Sequence, residues 1–211
     1  VAADGVNPTP EDPVRLADRM ADATTPQQQL VEIVKAKGLQ HLPEPVQLAS
    51  GGWSRDFVDG KLALAHYDDL EIACRAIVDG VRAAGIEFDA VGGLTMGADA
   101  LAVGVAAVVR CRWFFVRKEP KGRGTGRQIE GARIGPGDRV LLVDDVITTG
   151  GSTLKAYDAV LAVGATVVAA SALVDRGDVA TRSFAERGVP FLPVATYADL
   201  GIEPVVPPEA S

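Results

Sequence analysis

Apolar and polar positions along this chain follow two alternating periods. Between residues 67 and 84, Leu70, Ala73, Cys74, Ile77, Val78 and Val81 recur at helical spacing, and Gly85 closes the run. Asp68 and Asp69 suit the electropositive start of that helix. Residues 13–23 and 26–37 read as two amphipathic helices, each opened by a proline in its first turn, and Gly38 stops the second. Further on, short apolar runs predict a strand opened by Ala90 and Val91 that reaches the Gly92–Gly97 stretch, and strands at 113–116, 139–143, 166–174 and 189–194, with helices at 98–109, 152–163 and 179–187 between them. Strands separated by helices of this length imply βαβ crossovers. The expected fold is therefore α/β, a central, mainly parallel sheet with helices on both faces. Val140-Leu141-Leu142-Val143 shows no polar alternation, as a strand buried on both faces requires.

Ahead of that core, strands at 46–48 and 55–59 flank the turn Ser50-Gly51-Gly52 and predict a small hairpin-like hood. Residues 1–12, with Pro8 and Pro10, read as a loose tail, and Pro204, Pro207 and Pro208 mark a frayed tail over 202–211. One domain remains at 13–201, with the hood mainly in 13–62 and the core in 63–201.

The chemistry concentrates where the central strand ends. There the chain passes through Asp144-Asp145-Val146-Ile147-Thr148-Thr149-Gly150-Gly151-Ser152-Thr153 into a helix. Such a turn leaves backbone N–H groups facing an anion at a helix N-terminus. Gly150 and Gly151 allow close approach, while Thr148, Thr149, Ser152 and Thr153 supply hydroxyl donors. The loop suits a phosphate. Two carboxylates beside a phosphate need something between, and a ribose fills that role by donating its secondary hydroxyls to Asp144 and Asp145. An ordinary strand-to-helix turn capped by Asp would not call for two Asp, four hydroxyls and two Gly together.

Two more loops fall at strand ends, where ligands of open α/β sheets bind. Gly92-Gly93-Leu94-Thr95-Met96-Gly97 reads either as a tight, closely packed turn or as a cradle for a second anion such as a pyrophosphate. It is neither a Walker A loop nor a GxGxxG turn. Residues 117–127 carry Arg117, Lys118, Lys121, Arg123 and Arg127 against Glu119 alone, with three Gly for conformational freedom. A solvated surface loop is the plain alternative to a cationic lid over pyrophosphate.

Composition narrows the class. At 211 residues, 47% hydrophobic, the chain can bury a sizeable core. A formal net charge of -7 and a pI near 4.9 argue against a nucleic-acid or membrane-surface binder. With only Cys74 and Cys111, no disulfide framework is expected. No basic-then-apolar leader opens the sequence and no apolar run approaches the roughly 20 residues of a membrane helix, so a cytoplasmic protein is expected. His41 and His66 have no chemical neighbours in sequence and read as structural.

The stretch from Val140 to Thr153 resembles, over its full length, the phosphoribosyl-pyrophosphate (PRPP) binding motif of type I phosphoribosyltransferases. That resemblance assigns PRPP to Asp144, Asp145, Val146, Thr148, Thr149, Gly150, Gly151 and Ser152, and places Thr95, Met96 and Gly97 in the pyrophosphate loop. Residues 117–124 resemble the catalytic lid loop of the orotate branch, with Arg117, Lys118 and Lys121 matching and Arg123 standing at the family's His. Arg117, Lys118, Lys121, Asp144 and Asp145 are thereby the implied catalytic groups. Arg176, in Val174-Asp175-Arg176, stands where the family has an Arg that contacts the base carboxylate. A surface ion pair with Asp175 or Asp178 fits Arg176 equally well. Phe57 and Thr148 complete the implied base site. The chain departs from the pattern at Ala49 and Gly52 (a Lys and an Arg in the hood of relatives), at Met96 (often Lys) and at Arg123. What the resemblance implies is transfer of phosphoribose from PRPP to a base, orotate foremost, with Mg²⁺ held mainly by PRPP and water, in a homodimer sharing its lid loops. A purine or other acceptor, or a PRPP-sensing regulator without catalysis, remains open from sequence.

Overall fold

The computed structural model describes residues 24–48, 51–119 and 128–206. The predicted tail at 1–12 and helix at 13–23 lie outside the described residues. Helix α1 (Pro26–Ile33) starts at a capping box: the Thr25 hydroxyl accepts from the Gln28 N–H at 3.2 Å and the Gln28 side chain accepts from the Thr25 N–H at 2.9 Å. Its last expected turn is a π-helical one, Val34–Gly38.

The hood is an antiparallel hairpin of β1 (Leu39–Gln47) and β2 (Trp53–Val58). β1 is longer than predicted. It carries Pro43 and Pro45 because the pairing slips between His41 and Val46, so no ladder bond is asked of the two prolines. Two helices lead into the core, the short α2 (Gly60–Ala63) and α3 (Tyr67–Ala83). Asp69, expected merely to favour the start of α3, is buried and paired with Lys37.

The core alternates β3 (Ala90–Leu94), α4 (Asp99–Val109), β4 (Arg112–Val116), β5 (Ile129–Gly131), β6 (Arg139–Ile147), α5 (Gly151–Ala162), β7 (Thr166–Asp175), α6 (Val179–Ala185) and β8 (Ala195–Thr196). The sheet order is β5-β4-β3-β6-β7-β8, and every pairing is parallel except β4 with the edge strand β5. Leu141 and Val143 face one layer with α1, α3 and α4 residues such as Leu30, Ile77 and Leu101. Val140 and Leu142 face the other, with Ala156 and Val160 of α5 and Phe184 of α6. Both faces of β6 are therefore covered, as its unbroken apolar run requires.

Three further boundaries, toward the C-terminal half, differ from expectation. β6 continues through both aspartates to Ile147, because β7 pairs with it as far as Ile147 opposite Asp175. The expected strand at 189–194 contains Pro190 and Pro193, which have no N–H to donate; only a bridge from Phe191 to Ala170 forms there, and β8 follows at Ala195–Thr196. Residues 202–206 are not frayed. Val205 is buried, its N–H donates to the Arg176 carbonyl at 2.7 Å, and it presses on Gly52 of the hood.

The chain leaves β3 toward β4 on one side and returns to β6 on the other. That reversal opens a crevice between the carboxyl ends of β3 and β6, the favoured ligand position in such sheets.

Candidate active site

Asp144 and Asp145 stand at this crevice. Asp144 is buried. Its Oδ2 accepts from the Thr153 hydroxyl at 2.9 Å and its Oδ1 from the Asp145 N–H at 3.0 Å. Burial, and secondarily the charge of Asp145, pushes its carboxyl up to about 7, against the pull of the Thr153 hydroxyl. Asp145 is more open, with 14% of its side chain exposed. Its Oδ1 accepts from the Val146 N–H at 2.8 Å and its Oδ2 from the Lys61 ammonium at 3.0 Å. Thr153, expected among the phosphate's hydroxyl donors, is thus fully buried and serves Asp144 instead.

Beyond the pair, Thr148, Thr149 and Gly150 turn the chain into α5. Gly150 sits at φ +79°, and no side chain caps the first turn of the helix. Gly151 and Ser152, both exposed, open that turn toward a cavity of ≈ 310 Å³ that is also lined by Asp144, Val146, Thr148, Thr149 and Lys155. Uncapped N–H groups, a helix dipole, hydroxyls and a nearby ammonium together can hold a dianionic phosphate. Sequence reasoning missed Lys155; its position one turn into the helix was the available signal.

The second loop divides its work. Gly92 and Gly93 are packing positions: a side chain would strike Phe114 at the first, and the Val143 carbonyl and Ala98 at the second. The N–H of Thr95 donates to the Val116 carbonyl at 2.9 Å and belongs to the sheet. Met96 is exposed, and Gly97 brings its backbone directly against the Asp144 and Asp145 carboxylates, where any Cβ would collide with both. So the loop touches the Asp144–Asp145 pair through Gly97 and offers Met96 outward. Arg117 and Lys118 are exposed just after β4, with the Arg117 guanidinium 4.0 Å from Glu130. Lys121 and Arg123 lie outside the described residues.

Arg176 overturns one sequence alternative. It forms no surface pair with Asp175 or Asp178, being almost wholly buried at the end of β7. Its Nη1 donates to the Asp56 carbonyl at 2.9 Å and its Nη2 to the Ser54 hydroxyl at 3.3 Å, tying the core to the hood. Its Nε finds no partner among the described atoms. Asp175 instead accepts from the Gly177 N–H and the Thr181 hydroxyl, and burial pushes it up to about 6. Phe57, half-exposed on β2, neighbours this junction, and Thr148 follows Ile147, whose carbonyl accepts from the Arg176 N–H at 2.7 Å. His41, read as having no chemical neighbour, pairs across the hairpin with Asp56 at 2.6 Å.

Gly52 explains a departure from the resemblance. A side chain there would meet Val205 at 2.7 Å and the Val206 carbonyl at 3.0 Å, so the docked C-terminal segment leaves no room for an Arg.

An α/β sheet whose crevice sets two adjacent carboxylates, one of them buried, beside an uncapped helix turn has the chemistry to take a sugar phosphate. Residues 63–183 match the family model described as the phosphoribosyl transferase domain. The chain is 36% identical to the orotate phosphoribosyltransferase of Rhodopirellula baltica over 83% of its own length and 94% of the relative's. It is 40% identical to that of Thermococcus gammatolerans over 72% and 80%. A solved structure of Mycobacterium tuberculosis orotate phosphoribosyltransferase in complex with PRPP superposes with a TM-score of 0.68 at 31% identity, covering 84% of this chain and 99% of that one. The chain belongs to the type I phosphoribosyltransferase family and is most like its orotate members.

Proposed function

We propose that this chain is an orotate phosphoribosyltransferase of pyrimidine synthesis, converting PRPP and orotate to orotidine 5'-monophosphate and pyrophosphate. The observation that carries the reading is the Asp144–Asp145 dyad opening directly onto the uncapped turn at Gly151. A ribose hydroxyl pair on the dyad would put the 5'-phosphate over Thr148, Thr149, Gly150, Gly151 and Ser152. C1 would then face the hood side, where Phe57, Thr148 and Arg176 are gathered.

In the reaction the bond from C1 to the pyrophosphate oxygen breaks, pyrophosphate leaves with the electron pair, and a ring nitrogen of the base bonds to C1 and loses its proton. Positive charge on the sugar and negative charge on the leaving group grow together. The dyad holds the sugar so that C1 meets the base. Arg117 and Lys118, with Lys121 and Arg123 of the lid, stabilise the leaving pyrophosphate alongside Thr95, Met96 and Gly97. Mg²⁺ would supply further charge neutralisation on the diphosphate. No three His, Cys, Asp or Glu side chains among the described residues are placed to hold a metal. The dyad already carries a hydroxyl and an ammonium, which fits an ion held mainly by PRPP and water. The working unit in this proposal is a cytoplasmic homodimer with its lid loops shared between subunits.

The test is pyrophosphate release from PRPP and Mg²⁺ with orotate, adenine, guanine, hypoxanthine, xanthine and uracil offered separately. Turnover with orotate is expected. Turnover only with another base would reassign the acceptor, a live contrast because Gly52 and Met96 lack the cations of relatives. No turnover with any base would remove the enzymatic reading.

A further inference from the structure

We propose that Lys61 is a positioning residue for phosphoribosyl transfer: from the hood side of the crevice, its ammonium holds the Asp145 carboxylate oriented for a ribose hydroxyl. The inference rests on the reading of the dyad as the ribose subsite.

The contact is built from the backbone up. Asp59 caps α2, its Oδ1 accepting from the N–H groups of Lys61 and Leu62, both at 3.1 Å. The Asp59 N–H donates to the Gly38 carbonyl at 2.9 Å, which anchors the cap to the turn before the hood. Gly60 lies so close to Asp145 and Val146 that a Cβ would meet the Asp145 Cβ at 2.8 Å. With its backbone fixed against the end of β6, Lys61 reaches Asp145 at 3.0 Å across 84 residues of sequence. An exposed lysine pair of this kind contributes little to stability, and 60% of the Lys61 side chain is exposed. Its consequence lies in the charge of the dyad.

Two adjacent carboxylates resist ionising together. The charged groups facing Asp145 are Asp144 beside it, Lys61 at 3.0 Å, and Asp59, whose carboxylate is 3.9 Å from the Lys61 ammonium. Lys61 is the cation of this group and it bonds the outer member. Asp145 is held with its Oδ1 on the Val146 N–H and its Oδ2 on Lys61, a fixed orientation for accepting a sugar hydroxyl, while burial pushes Asp144 toward its protonated form. The ammonium also offers hydrogens beyond the one given to Asp145, on the same side of the crevice.

The experiment compares wild type, Lys61→Met and Lys61→Arg by PRPP binding calorimetry in Mg²⁺ buffer and by steady-state kinetics across pH. Lys61→Met is expected to weaken PRPP binding and raise its KM about tenfold, the scale of one charge-assisted hydrogen bond, with kcat reduced less. The acid limb of kcat/KM for PRPP should move to higher pH, and Lys61→Arg should restore most of both effects. A merely structural lysine would leave the acid limb in place. Unchanged affinity and an unchanged limb in Lys61→Met would overturn the proposal, as would tighter PRPP binding, which would make the lysine an obstruction. If wild type binds PRPP without using orotate, the acceptor assignment fails while the calorimetric comparison still decides the role of Lys61. If wild type binds no PRPP, both readings fail.

Discussion

Substituting Asp144 by Asn should make the ligand-free protein more stable while removing its activity. Asp144 is buried, and its carboxyl titrates at about 7 against an ordinary 3.8. A folded-state value above the unfolded one means the folded protein holds the proton more tightly. Stability is therefore greatest below the unfolded value and falls as pH rises from about 4 to about 7. At ~1.4 kcal/mol per pH unit the full interval corresponds to roughly 4 kcal/mol. Relaxation of the loop and access of water reduce this, and about 2 kcal/mol at pH 8 is the working figure. For a domain of this size that is a rise of about 4–8 °C in Tm. Asn keeps the shape: its carbonyl can accept from the Asp145 N–H and its amide can donate to the Thr153 hydroxyl. Thermal or urea unfolding of both proteins between pH 4 and pH 8 provides the assay. The curves should converge near pH 4, separate progressively up to about pH 7 and run parallel above it, with the variant retaining the smaller decline due to Asp175, pushed up to about 6. PRPP affinity should fall in the same variant. An Asp144→Asn protein no more stable than wild type at pH 8, or one whose stability follows the wild-type pH curve, would refute the claim that a buried charge is held here at the expense of stability.

Three further outcomes follow from the geometry. Gly97→Ala places a methyl against both carboxylates of the dyad and forces them to shift, so PRPP binding should drop at least tenfold in calorimetry and Tm should fall as well. Arg176→Met removes the guanidinium that holds the Asp56 carbonyl and Ser54; unfolding should show a loss of about 1–3 kcal/mol, and the KM for orotate should rise more than that for PRPP. On the proposal that Mg²⁺ enters on the substrate, chelation by EDTA should abolish turnover while leaving the Tm of the ligand-free protein unchanged; a fall in Tm on chelation would point to a resident metal.

The fold was legible because its strongest signals are local. Leu141 and Val143 face one layer and Val140 and Leu142 the other, so an unbroken aliphatic run read as a two-sided strand. The helical spacing in α3 likewise repeats within a few turns. What failed was set elsewhere in the chain. β6 extends past the carboxylates only because β7 pairs with it to Asp175, and the apolar run at 189–194 loses its ladder to Pro190 and Pro193. The three-residue β5 exists because β4 has an open edge to pair with, a fact no window of sequence around Ile129 contains.

The site divides along the same line. The acidic pair and the Thr-Gly turn are contiguous in sequence, so residue type and spacing were enough to single them out as a candidate site. Thr153 was named, but its duty was misjudged, because only burial shows that its hydroxyl points at Asp144. Lys61, Arg176 and Val205 act across long separations: Lys61 on Asp145, Arg176 on Asp56, and Val205 on Gly52. These three contacts bind hood, core and C-terminal segment into one structure around the crevice. The missing hood Arg follows from them as well. At Gly52 the space is filled by Val205 and the Val206 carbonyl, so restoring the Arg requires the C-terminal segment to undock, and a single substitution toward the relatives at that position should destabilise the protein before it improves any base binding.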